Sequence, residues 1–133
     1  MNDWVKACGF KEANIVQKRV MPIFRSGKNM VVTSPTGTGK THAFLVPLLE
    51  KVKASGKTQA IILAPTSILS KQLFTVTESV IKTLNLSVNV RHIHKKIESA
   101  SDHEIIIATP YQLIDAVFKQ RLFGLKSVHT VVL

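Results

Sequence analysis

Cysteine is all but missing from this chain: Cys8 stands alone among 133 residues. One thiol builds neither a disulfide framework nor a Cys-rich zinc site. Its ordinary role is that of a small buried hydrophobe. No apolar run is long enough to cross a bilayer, and the first residues do not read as a secretion signal. A reducing, cytoplasmic setting with no membrane partner is therefore expected. Acidic residues are scarce as well, with 8 Asp and Glu against 18 Lys and Arg. The formal net charge is +10 and the pI about 10.1, with the basic residues spread along the chain. That excess suits attraction to a polyanion, most simply nucleic acid, and equally a soluble basic domain, or a fragment missing its acidic segments. Repeats, low-complexity tracts and long linkers are absent. With 45% hydrophobic residues, this length suggests one domain with its own core.

What is present is concentrated in Ser34-Pro35-Thr36-Gly37-Thr38-Gly39-Lys40-Thr41. The stretch follows the apolar run Met30-Val31-Val32 and precedes the helix-like Ala43-Phe44-Leu45-Val46-Pro47-Leu48-Leu49. Strand, Gly-rich loop and helix start together make a phosphate cradle. Glycines let backbone N–H groups turn inward onto an anion. The helix N-terminus adds positive partial charge. In that reading Lys40 reaches the β and γ phosphates, and the Thr41 hydroxyl holds Mg²⁺. The general pattern has Gly where Ser34 stands.

Helical and strand patterns alternate along the rest. The spacing of Ile15, Val16, Val20 and Ile23 predicts a helix over 13–25, broken by Gly27. Residues 29–33 read as a buried strand and 41–53 as a helix, with Pro47 a local irregularity. A strand over 59–64, a helix over 67–84, and strands over 87–92 and 104–108 follow. Pro110 opens a helix to about Gln120, a position that proline tolerates. Residues 128–133 read as a last strand. Strands separated mostly by helices imply a parallel α/β sheet with helices on both faces. Ligands of such sheets lie at the carboxyl ends of the strands. The phosphate loop, Pro65-Thr66 and Thr109-Pro110 should therefore share one rim.

Four blocks in order resemble the first RecA-like domain of the DEAD-box RNA helicases. Gly9-Phe10-Lys11-Glu12-Ala13-Asn14-Ile15-Val16-Gln17 is similar to that family's Q motif, with Ala13-Asn14 where Pro-Thr is usual. The resemblance makes Gln17 the reader of the adenine edge, a task suited to an amide with both donor and acceptor. It makes Phe10 the motif's aromatic; the family's more upstream aromatic has no counterpart here unless Trp4 substitutes. The phosphate loop matches motif I from Ser34 to Thr41. Ala64-Pro65-Thr66-Ser67-Ile68-Leu69-Ser70-Lys71-Gln72 resembles motif Ia, agreeing at Pro65, Thr66, Leu69 and Gln72, with Ser67-Ile68 replacing Arg-Glu. Thr109-Pro110 opens motif Ib, with Tyr111-Gln112 replacing Gly-Arg. The family's Gly-Gly turn is replaced by Arg91-His92-Ile93-His94-Lys95-Lys96.

The resemblance implies a RecA-like P-loop domain, incomplete here, with 1–28 as Q-motif region and 29–133 as phosphate-loop core. It implies ATP and Mg²⁺ as cofactors and RNA as partner, gripped along its backbone by Pro65, Thr66, Gln72, Thr109 and Pro110. The departures fall on the RNA side. Lys71, Arg91, Lys95 and Lys96 offer substitute phosphate attraction, which is largely non-specific. Tyr111 is either a base-stacking ring or an ordinary surface or core tyrosine. His92, His94 and His103 lack the Cys or carboxylate partners that metal sites usually add, and His42 reads as a helix-face residue.

In the family an Asp-Glu-Ala-Asp block follows a strand like 128–133, and a second RecA-like domain follows later. The sequence ends at Leu133. Asp102 and Glu104 precede a strand, at the wrong rim, so no carboxylate replaces that block. The expectation is a nucleotide-binding part of an RNA helicase that does not hydrolyse ATP alone and whose partner is the second domain. A gap, or an abnormal pairing, is also expected between 29–33 and 128–133, where the family places another strand. Other readings stay open: a different P-loop NTPase such as a DNA helicase or nucleoside kinase, or a non-enzymatic basic RNA-binding remnant.

Overall fold

Ala60, Ile62, Ile105 and Ile107 face one side of a parallel sheet, and Ile61, Ile106 and Ala108 face the other. This is the period-two alternation of extended backbone. The computed structural model describes residues 3–35, 39–93, 103–119 and 124–133. Its elements are α1 (Asp3–Ala7), α2 (Ile15–Arg25), α3 (Lys40–Lys51), β1 (Ala60–Leu63), α4 (Ser67–Thr83), β2 (Val90–His92), β3 (Ile105–Ala108), α5 (Pro110–Ile114) and β4 (Thr130–Val132). A π-helical turn, Asp115–Lys119, continues α5.

The sheet order is β2-β3-β1-β4, and every pairing is parallel. Ile61 lies opposite Ile106 on one side and Val131 on the other. Helices α3 and α4 cover one face through Leu45, Leu48 and Val80, which pack on Ile62, Ile105 and Ile107. Leu113 and Ala116 cover the opposite face against Ile61 and Ile106. The expected α/β parallel sheet with helices on both faces is therefore observed.

Local signals set the helix ends. Asn14 caps α2 by accepting from Gln17 N at 2.8 Å, and the Gln17 side chain accepts from Asn14 N at 2.9 Å. This reciprocal capping box satisfies two N–H groups that the helix itself leaves unpaired. Gly27, at φ +80°, ends the segment in the left-handed region where glycine carries no steric cost. Helix α3 runs through Pro47, whose buried ring lacks an N–H for the helical ladder. The expected irregularity there does not interrupt the helix. The short helix α1, with no counterpart in the sequence reading, buries Trp4 and Val5 against Met21 and Val46.

Residues 29–33 depart from the expected strand. They lie outside the sheet, and Val31 is 95% exposed. An extended apolar run becomes a strand only when a neighbour completes its hydrogen bonds. Here a cavity of about 1100 Å³ separates this run from β4, floored by Val20, Phe24, Ala43 and Phe44. Among the described residues a gap thus separates these segments, and β4 pairs in the sheet with β1 alone.

Candidate functional site

The sequence places a glycine at the head of α3, and its backbone shows why. Gly39 has φ +75° and stands at the N-cap. A Cβ there would lie 2.7 Å from Asn14 Nδ2 and 2.8 Å from Gln17 Nε2. Gln17 is buried, at 1% exposure, and its Nε2 faces the Gly39 carbonyl at 3.4 Å. The capping box of α2 and the end of the Gly-rich loop are therefore in contact. Close approach and left-handed backbone both demand glycine.

Lys40 is the first residue of α3, and its Nζ donates to the Ser34 carbonyl at 2.8 Å. The ammonium spans the loop from its end to its beginning. Thr41, half-buried, follows in the first helical turn. Thr36, Gly37 and Thr38 lie outside the described residues. Phe10, 37% exposed, meets His42 edge-on at 5.1 Å between ring centroids. Burial pushes the His42 pKa below the ordinary imidazole value, which favours the neutral ring. Phe10, Gln17, Ser34, Gly39, Lys40 and Thr41 thus gather around the start of α3. Trp4 is not available as a second stacking aromatic: it is 5% exposed and belongs to the core.

The other candidates lie at the carboxyl ends of β1 and β3. Thr66 caps α4, accepting from Leu69 N at 3.2 Å. Thr109 caps α5 in a second capping box, accepting from Gln112 N at 3.3 Å while Gln112 Oε1 accepts from Thr109 N at 3.2 Å. Pro65, Gln72 and Pro110 are exposed. Since β1 and β3 are parallel and in register, Pro65-Thr66 and Thr109-Pro110 share one rim. Tyr111 is a surface residue, 71% exposed.

Some participants were not legible as such. Asn14 looked like a departure from Pro-Thr, although its spacing from Gln17 is that of a capping box. Gln112 similarly replaces a motif arginine yet closes the box on Thr109. The buried Ser70 hydroxyl lies 2.7 Å from His92 Nε2, and the His92 ring stacks on Phe74 at 5.6 Å. Ser70 Oγ also donates to the Ser67 carbonyl at 2.9 Å. The Ser70 hydroxyl thus meets both its own helix and the His92 ring. This contact ties the first turn of α4 to the end of β2.

Among the described residues, no group of three or more His, Cys, Asp or Glu is placed to hold a metal ion. His94 and Asp102 lie outside the described residues. Glu104 is buried at the amino end of β3, where its Oε2 accepts from Asn89 N at 3.3 Å. It is at the opposite end of the strand from Thr109, as expected. No described helix is long and apolar enough to cross a membrane.

The model of the DEAD/DEAH box helicase family matches residues 14–133. The chain belongs to that family. It is 34% identical over 134 residues to the probable ATP-dependent RNA helicase YfmL of Bacillus subtilis, covering 96% of this chain and 35% of that protein. It is 30% identical over 137 residues to the ATP-dependent RNA helicase ROK1 of Meyerozyma guilliermondii, covering 95% of this chain and 26% of that protein. A DEAD box protein from Methanococcus jannaschii superposes with a TM-score of 0.83 at 28% identity, covering 95% of this chain and 36% of that one. A variant of S. cerevisiae Dbp5 bound to RNA and ADP BeF3 gives 0.83 at 26% identity, covering 94% of this chain and 33% of that one. The chain thus spans about a third or less of the length of the first two of these helicases. The fold is that of the RecA-like domain of DEAD-box proteins.

Proposed function

We propose that this chain forms the ATP-binding part of an ATP-dependent RNA helicase. The observation that carries the reading is the junction of Gly39, Lys40 and Gln17 at the head of α3. Gly39 lets the backbone approach an anion without a Cβ in the way. Lys40 exchanges the Ser34 carbonyl for phosphate oxygens, a stronger charge-assisted bond. The Thr41 hydroxyl, one residue into the helix, would hold Mg²⁺, which when bound neutralises phosphate charge. Ser34, Thr36, Gly37 and Thr38 complete the loop around the phosphates. Gln17 reads the adenine edge. Its amide uses one acceptor site on Asn14 N and points one N–H at Gly39 O, which leaves one of each for a base. Phe10, held against His42, would supply an apolar wall for the base.

RNA would run along the rim, with Pro65, Thr66, Gln72, Thr109 and Pro110 against its backbone. The Thr66 and Thr109 oxygens accept cap bonds, and their hydroxyl protons are left to donate to phosphates. The N-terminus of α4 adds positive partial charge at the same place. The excess of basic residues supports this partner.

Turnover is another matter. The described residues lining the cavity beside Lys40 include no carboxylate. We infer that these 133 residues bind ATP yet do not hydrolyse it appreciably without the carboxylates and second RecA-like domain of a full helicase. Titration of ATP into this chain, its Gln17→Ala form and its Lys40→Ala form tests the binding. An ATPase assay tests the rest: robust turnover abolished by Lys40→Ala would refute the inactivity. If neither substitution weakens ATP binding, a non-enzymatic RNA-binding role replaces this reading.

A further inference from the structure

Three rings connect the N-terminal segment to α3. Trp4 meets Phe10 at 6.2 Å with planes inclined by 72°, and Phe10 meets His42 at 5.1 Å with planes inclined by 87°. Both contacts are edge-to-face, the arrangement that ring quadrupoles favour. Trp4 is fixed in the core among Val5, Met21 and Val46. His42 is fixed by α3, one residue after Thr41. Phe10 itself lies in neither helix nor strand, just after Gly9 at φ +83°, whose surroundings are open. Its backbone N–H donates to Val5 O at 2.8 Å. The place of the Phe10 ring is therefore set largely by the rings on either side of it.

The geometry points to His42 as a positioning residue for base recognition: it holds Phe10 at the first turn of α3, whose N-cap Gly39 is approached by Gln17, so that discrimination between purines depends on a ring at position 42. This rests on the reading of the Gln17 and Lys40 junction as an ATP site. The phosphate cradle and the base wall project from the same turn of α3 through different residues. Loss of the His42 ring should release Phe10 while leaving Gly39, Lys40 and the Lys40–Ser34 bond in place. The consequence is a split. Binding energy from the base falls, and binding energy from the phosphates does not.

Calorimetric titrations of ATP, GTP and inorganic tripolyphosphate into the wild type and three variants test this. His42→Ala should weaken ATP about three- to tenfold, the size of one aromatic pair. It should narrow the ATP-over-GTP preference and leave tripolyphosphate affinity unchanged. His42→Phe should restore both affinity and preference, whereas His42→Leu, bulky but without a ring, should not. If His42→Ala melts at lower temperature, the Phe and Leu pair still separates a ring effect from general packing. Unchanged ATP affinity and preference in His42→Ala, an equal loss for ATP and tripolyphosphate, or full rescue by Leu would each overturn the proposal. A wild type that binds neither ATP nor tripolyphosphate would overturn the nucleotide-site reading as well, so the two failures are distinct.

Discussion

Gln17 Nε2 faces the carbonyl of Gly39 at 3.4 Å, across 22 positions of sequence. Through this contact the cap of one helix supports the glycine that opens another. Any side chain at position 39 must enter the same space. Gly39→Ala meets two amide nitrogens within 2.8 Å and adopts a left-handed backbone that costs an alanine about 1–2 kcal/mol. The variant is expected to melt several degrees lower and to lose ATP affinity. Circular dichroism melting and titration check both effects, and an alanine form equal to wild type in both would remove glycine's role.

Asn14 carries the other side of that support. Asn14→Ala deletes the acceptor for Gln17 N and should cost about 1 kcal/mol, while Asn14→Asp or Asn14→Ser should cost less. Urea titration measures the difference. ATP affinity should follow the same order, because the first turn of α2 that carries Gln17 loses its side-chain cap.

The edge of β4 and the exposed run at 29–33 face a cavity rather than each other. Free strand edges and exposed apolar runs recruit other chains. Concentration-dependent association is expected by sedimentation velocity. Val31→Lys should reduce it with little change in stability, since Val31 is almost wholly exposed. A monodisperse wild type at high concentration would contradict this.

Cys8 packs beside both the Trp4 cluster and the main core, and burial pushes its thiol above the ordinary value of 9.0. The reactive thiolate is therefore rarer than in free cysteine at the same pH. Alkylation by iodoacetamide at pH 8 should be slow in the folded chain and approach the free rate in urea. Because the folded pKa is raised, the stability linked to the neutral thiol is present below pH 9 and is lost as pH rises from there through the folded value. Cys8→Ala should flatten that alkaline decline.

Much of this arrangement was readable from residue order. The Ile105-Ile106-Ile107 run and the apolar 59–64 stretch became neighbouring strands because each is buried on both faces, which is the mark of a parallel sheet. The head of α3 was legible because a left-handed N-cap calls for glycine, which stands there as Gly39. The run at 29–33 misled because strand character is a property of a pair, and the pattern alone does not supply the partner. Whether Trp4 substitutes for the upstream aromatic was not legible from its position, because its burial is set by contacts with Met21 and Val46 from distant elements. The Ser70–His92 bond and the Phe10–His42 contact join residues far apart in the chain, and no local pattern announces them.

Lys40 bridging to Ser34 implies an ammonium already held where a polyphosphate would displace one carbonyl. The decisive measurement is isothermal titration of ATP with Mg²⁺ into the wild type and Lys40→Ala, with folding of both verified by melting. Saturable binding by the wild type, weakened tenfold or more by the substitution, is the predicted result. Equal heats from both proteins, or none from either, would contradict a triphosphate site at the head of α3.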